Sequence, residues 1–286
     1  MRSYYQNFCR LLFCAALCLG MPFICLCQNT AGWTLDAPAN SVTLISVTQG
    51  MALGSLKFTF ENVSGKTIVV LVVGDLHGSQ VGIDGFVGGV AAVASGATTS
   101  LGFSSQDFSV GGQITKELRV DAIFYGDGSG YGFGPWKANV EDEMLGEALE
   151  TKRDAGLLSA SPDPSISGFD SVVAQIHSQP LSTSAEAAQS LRGVTLPGIP
   201  QALISEHLAS QSVSIEIGAH RARGLIPSEI ADVKSNDARW MAGSEAAQQL
   251  ALERRPHALS DLAQKVSSWS EWQVQYLEKV FQEGNQ

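Results

Sequence analysis

Two stretches bring together side chains that could do chemistry. In the first, Asp127 and Ser129 offer oxygen atoms two residues apart, and Gly132 follows at the sixth position counted from Asp127. Oxygens at the first and third positions with glycine at the sixth are how a calcium-binding loop begins. A hard cation takes oxygen ligands, and the chain must turn sharply beneath it. Such a loop closes on a Glu at its twelfth position, and Ala138 stands there. A tight glycine-bearing hairpin explains the same residues and is the preferred reading. Asp127 and Ser129 remain candidate ligands for a calcium ion held in another geometry. In the second stretch, Asp75 and His77 set a carboxylate and an imidazole just past an apolar strand. Alone they are too few to hold a metal, and Asp and Gly also suit the turn that would close such a strand.

The second stretch carries a family resemblance. Gly74-Asp75-Leu76-His77-Gly78 after Val72-Val73 resembles the first motif of calcineurin-like metallophosphoesterases. The resemblance implies Asp75 and His77 as ligands of a two-metal centre that activates water and clamps phosphate oxygens. That family also needs a GDxxDRG-like loop, a GNHE-like motif and further histidines. Gly126-Asp127-Gly128 lacks the Asp-Arg, and no Asn-His pair occurs. A metal-dependent phosphoesterase is therefore the alternative function, and a turn is the preferred reading of the motif.

No other motif points to catalysis. His177, His207, His220 and His257 are scattered and form neither HxxxH nor HExxH. There is no GxSxG, no Walker loop and no dinucleotide-binding glycine pattern. Arg221 and Arg223, like Arg254 and Arg255, read as solvated charges or as cations at helix C-termini. Asn62-Val63-Ser64 fits a glycosylation sequon, but a turn accounts for those residues without a glycan. No cofactor is expected.

The chain has 286 residues, 44% apolar, and a formal net charge of -10. Arg2 and Arg10 precede an apolar run, Leu11 to Ile24, and Cys25-Leu26-Cys27 offers a small-x-small cleavage site before Gln28. That is the layout of a signal peptide over residues 1–27, and it predicts export to the periplasm, cell surface or secreted space. Cleavage leaves 16 basic against 28 acidic residues, a surface that repels phosphate backbones and excludes nucleic acid as a partner. All five cysteines lie within the leader, so the mature chain has no thiol chemistry. No later stretch predicts an integral membrane segment.

These candidate residues need elements to position them. Val42–Thr48, Gly54–Glu61 and Ile114–Tyr125 alternate as strands do, the last through Leu118, Val120, Ala122 and Phe124, and Thr98–Phe103 is read as a further strand. Thr67–Val73 is apolar throughout, as a central strand buried on both faces would be. Residues 28–40 read as a loose lead-in. The spacing changes at Trp136. Lys137–Asp154 recurs at helical intervals and contains one glycine, Gly146. Helices are predicted over 169–178, 184–192, 200–223, from Pro227 as a first-turn proline to about Glu253, and from Ser260 onward. The last carries a stripe of Leu262, Val266, Trp269, Tyr276, Leu277, Val280 and Phe281, expected to face the core or a partner.

Phe58–Val73 and Val120–Gly132 together resemble exported proteins of acidobacterial genomes that share an N-x-S-x-K-x-I strand pair and a V-x-A-x-x-F-x-D-G hairpin. Asn62, Ser64, Lys66 and Ile68 match the first, and Val120, Ala122, Phe124, Asp127 and Gly128 the second. The resemblance implies an exported sandwich and no activity. The expected architecture is α+β. An antiparallel β-sandwich of immunoglobulin-like kind spans 31–136, a connecting helix 137–155, a linker 156–168 and a helical region 169–286. The expected function is a non-catalytic binding or structural module whose partner is a protein or a glycan.

Overall fold

The computed structural model describes residues 30, 32–50, 55–75, 80–86, 92–104, 109–110, 113–114 and 116–283. The fold is α+β. Among the described residues ten strands precede seven α-helices: β1 (Thr34–Asp36), β2 (Val42–Gln49), β3 (Ser55–Asn62), β4 (Ile68–Asp75), β5 (Gln80–Asp84), β6 (Thr98–Ser104), β7 (Ser109–Val110), β8 (Gln113–Ile114), β9 (Glu117–Tyr125) and β10 (Gly130–Gly132). The helices are α1 (Trp136–Ala160), α2 (Phe169–His177), α3 (Ser184–Leu191), α4 (Gln201–Ala209), α5 (Val213–Met241), α6 (Glu245–Arg254) and α7 (Ala258–Glu283).

The strands form two larger sheets. One runs β2-β3-β6. The other runs β1-β9-β4-β5, with β10 also paired to β9. A small β7–β8 hairpin stands apart from both. The pairings are antiparallel except one. β1 lies parallel to β9, Thr34 opposite Glu117, which corrects the expectation of purely antiparallel sheets. At three residues, β1 is too short to show a period, and the lead-in reading missed it. Trp33, Leu44, Phe58, Phe60, Ile68, Leu71, Val73, Leu118 and Val120 share one apolar cluster drawn from both sheets.

The central strands are buried on both faces. In β4, Ile68, Leu71 and Val73 join that cluster, whereas Val69 and Val70 join a second one built with the helices. β9 divides the same way: Leu118, Val120 and Ile123 face the other sheet, while Ala122 and Phe124 meet the helices. The pairing of β4 with β9 shifts register between Val72 and Val73, opposite Ala122 and Val120. A bulge there changes which parity points inward. That is why the expected single-faced alternation of Leu118, Val120, Ala122 and Phe124 splits between two cores.

The helices run differently from expectation at four places. α1 continues past Asp154 through Gly156 to Ala160, because Ala155 and Leu158 are buried in a third cluster. Linker composition begins only at Ser161. The predicted 200–223 helix breaks at 210–212, where Gln211 takes φ 48° and the Ser212 side chain accepts from Ser214 N–H. The alternating Val213–Ile217 segment is helical, as expected. Pro227 lies inside α5 rather than at a start. Its missing N–H leaves the Arg223 carbonyl without the usual helical partner, but Ile226 and Ile230 on either side are buried and hold the helix together. α5 then ends at Met241, and Ser244 caps α6.

The α7 stripe packs inside the molecule. Leu262 and Val266 enter the third cluster with Phe169, Val172, Ile226 and Ile230. Tyr276, Leu277 and Val280 enter the second cluster, against Val69, Val70 and Phe124 of the sheet and Phe86 just past β5. Burial of each large side chain stabilises by about 1.5–3 kcal/mol. Among the described residues no helix is long and apolar enough to cross a membrane.

Candidate functional site

The hairpin between β9 and β10 holds two of the four candidate residues. After Tyr125 the chain turns through Gly126–Ser129, and Gly128 takes φ 91°. Any Cβ there would also run into Lys279 of α7, so glycine is required twice over. Asp127 folds back on its own loop. Its Oδ1 accepts from Ser129 N–H at 3.0 Å and from Ser129 Oγ at 2.6 Å. Its Oδ2 meets Lys66 Nζ at 2.7 Å. Lys66 also donates to Ser129 Oγ at 2.9 Å and lies 5.4 Å from the centre of the Tyr125 ring.

An ammonium therefore stands where a calcium loop would place its ion. A cation arriving at Asp127 would have to displace Lys66. Partial burial raises the Asp127 carboxyl, but the hydrogen bonds from Lys66 and Ser129 outweigh it and bring the pKa down to about 2. Burial, opposed by Lys66, raises the Tyr125 phenol.

The loop is braced from outside. Tyr276 Oη donates to the Tyr125 carbonyl at 2.7 Å, and Lys279 Nζ reaches the Gly126 carbonyl at 3.4 Å. On the other side stands the β3–β4 turn. Asn62 is buried, and its Nδ2 donates to Lys66 O at 2.8 Å and Val93 O at 3.0 Å. Its Oδ1 accepts from Ser64 N–H and Oγ. The amide nitrogen that a glycan would use is spent inside the turn. Next to this braced loop Tyr131 and Phe133 stay exposed, at 38% and 46%. The Arg119 guanidinium lies 4.0 Å from the Phe133 ring centre, a cation–π contact.

Asp75 ends β4 and pairs in register with Leu118 of β9. His77 lies outside the described residues. The structure thus brings Asp127 and Ser129 together with Lys66. Among the described residues no three His, Cys, Asp or Glu side chains group so as to hold a metal ion. Of the scattered histidines, His207 is held by Asp142 at 2.6 Å. That hydrogen bond, against partial burial, raises its pKa.

Sequence reasoning missed a second polar cluster. α1 buries Glu147, Glu150, Thr151 and Asp154, α5 buries Arg223, and α7 buries Ser270 and Gln273. Apart from Glu147, which lies within the stretch of the second apolar cluster, these residues fall along all three helices between that cluster, which the sheet shares, and the third, which it does not. Glu150 Oε1 accepts from Arg223 Nε at 2.7 Å and from Arg153 Nη2. Arg153 also reaches Asp154 at 3.2 Å, and Arg223 donates to the Gln179 carbonyl at 2.8 Å. Arg221 bridges Glu143 at 2.7 Å and Glu147 at 3.4 Å. Burial first, then the neighbouring Glu150 carboxylate, pushes Asp154 up to about 7 against the pull of Arg153 and Arg223. Arg223 is thus a buried ion-pair partner, which corrects its reading as a solvated or helix-terminal charge.

The belt forms where α1 and α5 touch backbone to backbone. A Cβ on Gly146 would collide with the Ile215 carbonyl, and one on Gly218 with the Glu143 carbonyl. The signal available in the sequence was the run Glu143, Glu147, Glu150, Asp154 at helical spacing, together with paired arginines in a later helix. Comparison of the chain with protein-family models, with curated proteins and with solved structures finds no match.

Proposed function

We propose that the chain is an exported, non-catalytic binding or structural module of the cell envelope or secreted space, with a protein or a glycan as its partner. The carrying observation is the β9–β10 hairpin. Lys66, Tyr276 and Lys279 hold its loop from both sides, while Tyr131 and Phe133 beside it stay exposed. A fixed loop presenting exposed aromatic rings loses little conformational freedom on binding, and binding loops stand on rigid scaffolds for that reason. In this reading the two sheets are the faces of an immunoglobulin-like sandwich, which the apolar cluster drawn from both of them supports. The N-terminal charge-and-apolar pattern supports export. The Lys66 ammonium on Asp127 supports binding without a metal at that loop.

The test uses the mature chain from Gln28. Binding to isolated envelope material of the native host is compared with that of a Tyr131→Ala/Phe133→Ala variant. Binding that drops at least tenfold with unchanged melting supports the hairpin as the binding face. Turnover of an aryl phosphate with manganese, abolished by Asp75→Asn, overturns the reading in favour of a phosphoesterase. Mass spectrometry of the exported protein should find Gln28, or a residue beside it, at the N-terminus; an intact Met1 in the cytosol overturns the export assignment.

A further inference from the structure

The third apolar cluster, the one distal to the sheet, floors a cleft. The cleft lies between the second half of α5 and the start of α7 and holds about 250 Å³. Leu262 and Ala258 are buried members of the distal cluster, and Ile166 and Val233 pack against it. All four line the cleft. Trp240, half-buried near the end of α5, adds an aromatic ring to the wall. Pockets for drug-sized ligands usually hold about 300–1,000 Å³. An occupant here is smaller, and the floor favours one that carries an apolar group.

The rest of the wall is charged, and its charges cancel in pairs except for two. Arg255 Nε and Nη2 donate to the two carboxylate oxygens of Asp237 at 2.8 Å each. Lys265 Nζ meets Glu229 at 2.6 Å. Both pairs tie α5 to the chain on the α7 side of the cleft. Arg254 and Asp261 are left over. The Arg254 guanidinium is exposed and lies 4.9 Å from the Trp240 ring centre. Among the described residues it meets no carboxylate. Asp261, in the first turn of α7, is exposed and meets neither a cation nor a hydrogen-bond donor of the described residues. Its partner by helical spacing would be Lys265, four residues on. Glu229 takes that ammonium instead.

We propose that this cleft binds a small zwitterion, an amino acid or a dipeptide with an apolar side chain. The carboxylate of the ligand meets Arg254, whose N–H donors match a planar carboxylate two at a time. Its ammonium meets Asp261. Its side chain covers Val233 and Leu262 beside the Trp240 ring. Charge decides against simpler occupants. An inorganic anion suits Arg254 but meets a like charge in Asp261, and an inorganic cation has the reverse difficulty. A neutral sugar or an acyl chain leaves both charges unmatched. The site shares no residue with the β9–β10 hairpin or with the side chains that brace it, so it stands or falls independently of binding there.

The two charged contacts are open to water and screened by salt, so titration calorimetry of the chain at low ionic strength is the test. The probes are leucine and glycyl-leucine. At least one should bind saturably. Acetylating its amine or amidating its carboxylate should each weaken binding about threefold or more, the scale expected of an exposed ion pair. Arg254→Gln and Asp261→Asn should each weaken the unblocked probe to the same extent. Arg254→Gln should leave binding of the amide unchanged, and Asp261→Asn should leave binding of the acetylated form unchanged. Both substitutions replace exposed side chains, and both variants should melt with the parent chain. The proposal is overturned if neither zwitterion binds saturably, if blocking either end weakens binding less than threefold, or if either variant binds the unblocked probe as the parent does.

Discussion

The molecule has two ionic clusters of similar chemistry in opposite surroundings. At the hairpin, Asp127 meets Lys66 with both side chains about half exposed, 50% and 48%. In the belt, Glu150 and Asp154 meet Arg153 and Arg223 with the two carboxylates wholly buried. The hairpin carboxyl titrates near 2 and the belt carboxyl near 7. The difference lies in solvent and partner count. Asp127 keeps water and gains one cation and a serine, so its charged form is favoured. Asp154 loses water, gains a like charge beside it and shares its cations, so its neutral form is favoured. An ion pair drawn on a structure therefore carries no fixed sign for stability; burial and the local charge count decide it.

Removing a cation from each cluster is the sharpest way to break this comparison. Arg223→Ala takes from Glu150 a hydrogen bond that it cannot replace with water and leaves its charge buried. The expected loss is about 3–5 kcal/mol, the usual cost of orphaning a buried charge. Chemical denaturation of the chain at pH 7 measures it, and a loss below about 1 kcal/mol would show that the belt is hydrated and that the two clusters are alike. Arg223→Met, which restores volume without charge, should still be destabilised unless Glu150→Gln accompanies it.

The helix crossing that builds the belt supplies the next test. Gly218→Ala sets a methyl group against the Glu143 carbonyl, which belongs to backbone and cannot swing aside. Overpacking of this kind costs about 1–3 kcal/mol. Gly156→Ala is the control on α1, because a Cβ there meets nothing within 4 Å. It should be neutral or slightly stabilising, since alanine is the better helix former. Equal melting of the two variants would mean that α1 and α5 do not pack backbone to backbone.

These two regions also divide what the sequence makes legible. The strands β2, β3, β4, β6 and β9 announce themselves, because one or both faces meet an apolar core and the period of two survives in the residue types. The bulge opposite Val72 and Val73 does not, since a one-residue slip leaves no mark in composition. The belt was illegible for a related reason. Acids at spacings of three and four on a helix read as a solvated face, and on most helices that is what they are. Between Val140 and Thr151 α1 has no exposed residue, so its buried acids Glu147 and Glu150 meet arginines instead of water. Pro227 misled in the same manner. A proline rule reads the local chain, whereas Ile226 and Ile230 hold α5 together through tertiary packing. For the hairpin site, the residue types single out Asp127 and Ser129 within one turn. The partner that changes their chemistry, Lys66, is sixty-one residues upstream and reaches them only once β4 pairs with β9.

Trp269 measures how strongly the distal cluster holds. It is half-buried against that cluster, with Lys265 Nζ 4.9 Å from its ring. Trp269→Asp removes the apolar contact and sets a carboxylate beside the cluster, for an expected loss of about 1–3 kcal/mol. Thermal melting with light scattering checks it, and an unchanged melting temperature would mean that the distal helices contribute no stability of their own.

The smallest effect belongs to the exposed cluster and carries the opposite pH sign. Lys66→Ala leaves Asp127 with its hydrogen bonds from Ser129 but without its cation. Water takes the place of the ammonium, so stability should change by about 0–1 kcal/mol. The carboxyl itself should respond clearly, moving from about 2 toward the ordinary value near 4. Carboxyl NMR of a chain labelled at aspartate reads that directly. Because the folded-state pKa lies below the unfolded one, this pair adds stability above about pH 4 and loses it as pH falls toward 2, whereas the belt loses its contribution as pH rises toward 7. The difference in stability between the parent chain and Lys66→Ala should therefore shrink on acidification, and that between the parent and Asp154→Asn should grow more negative for the parent from pH 4 to 7. If both differences moved in the same direction with pH, burial would not be what separates the two clusters.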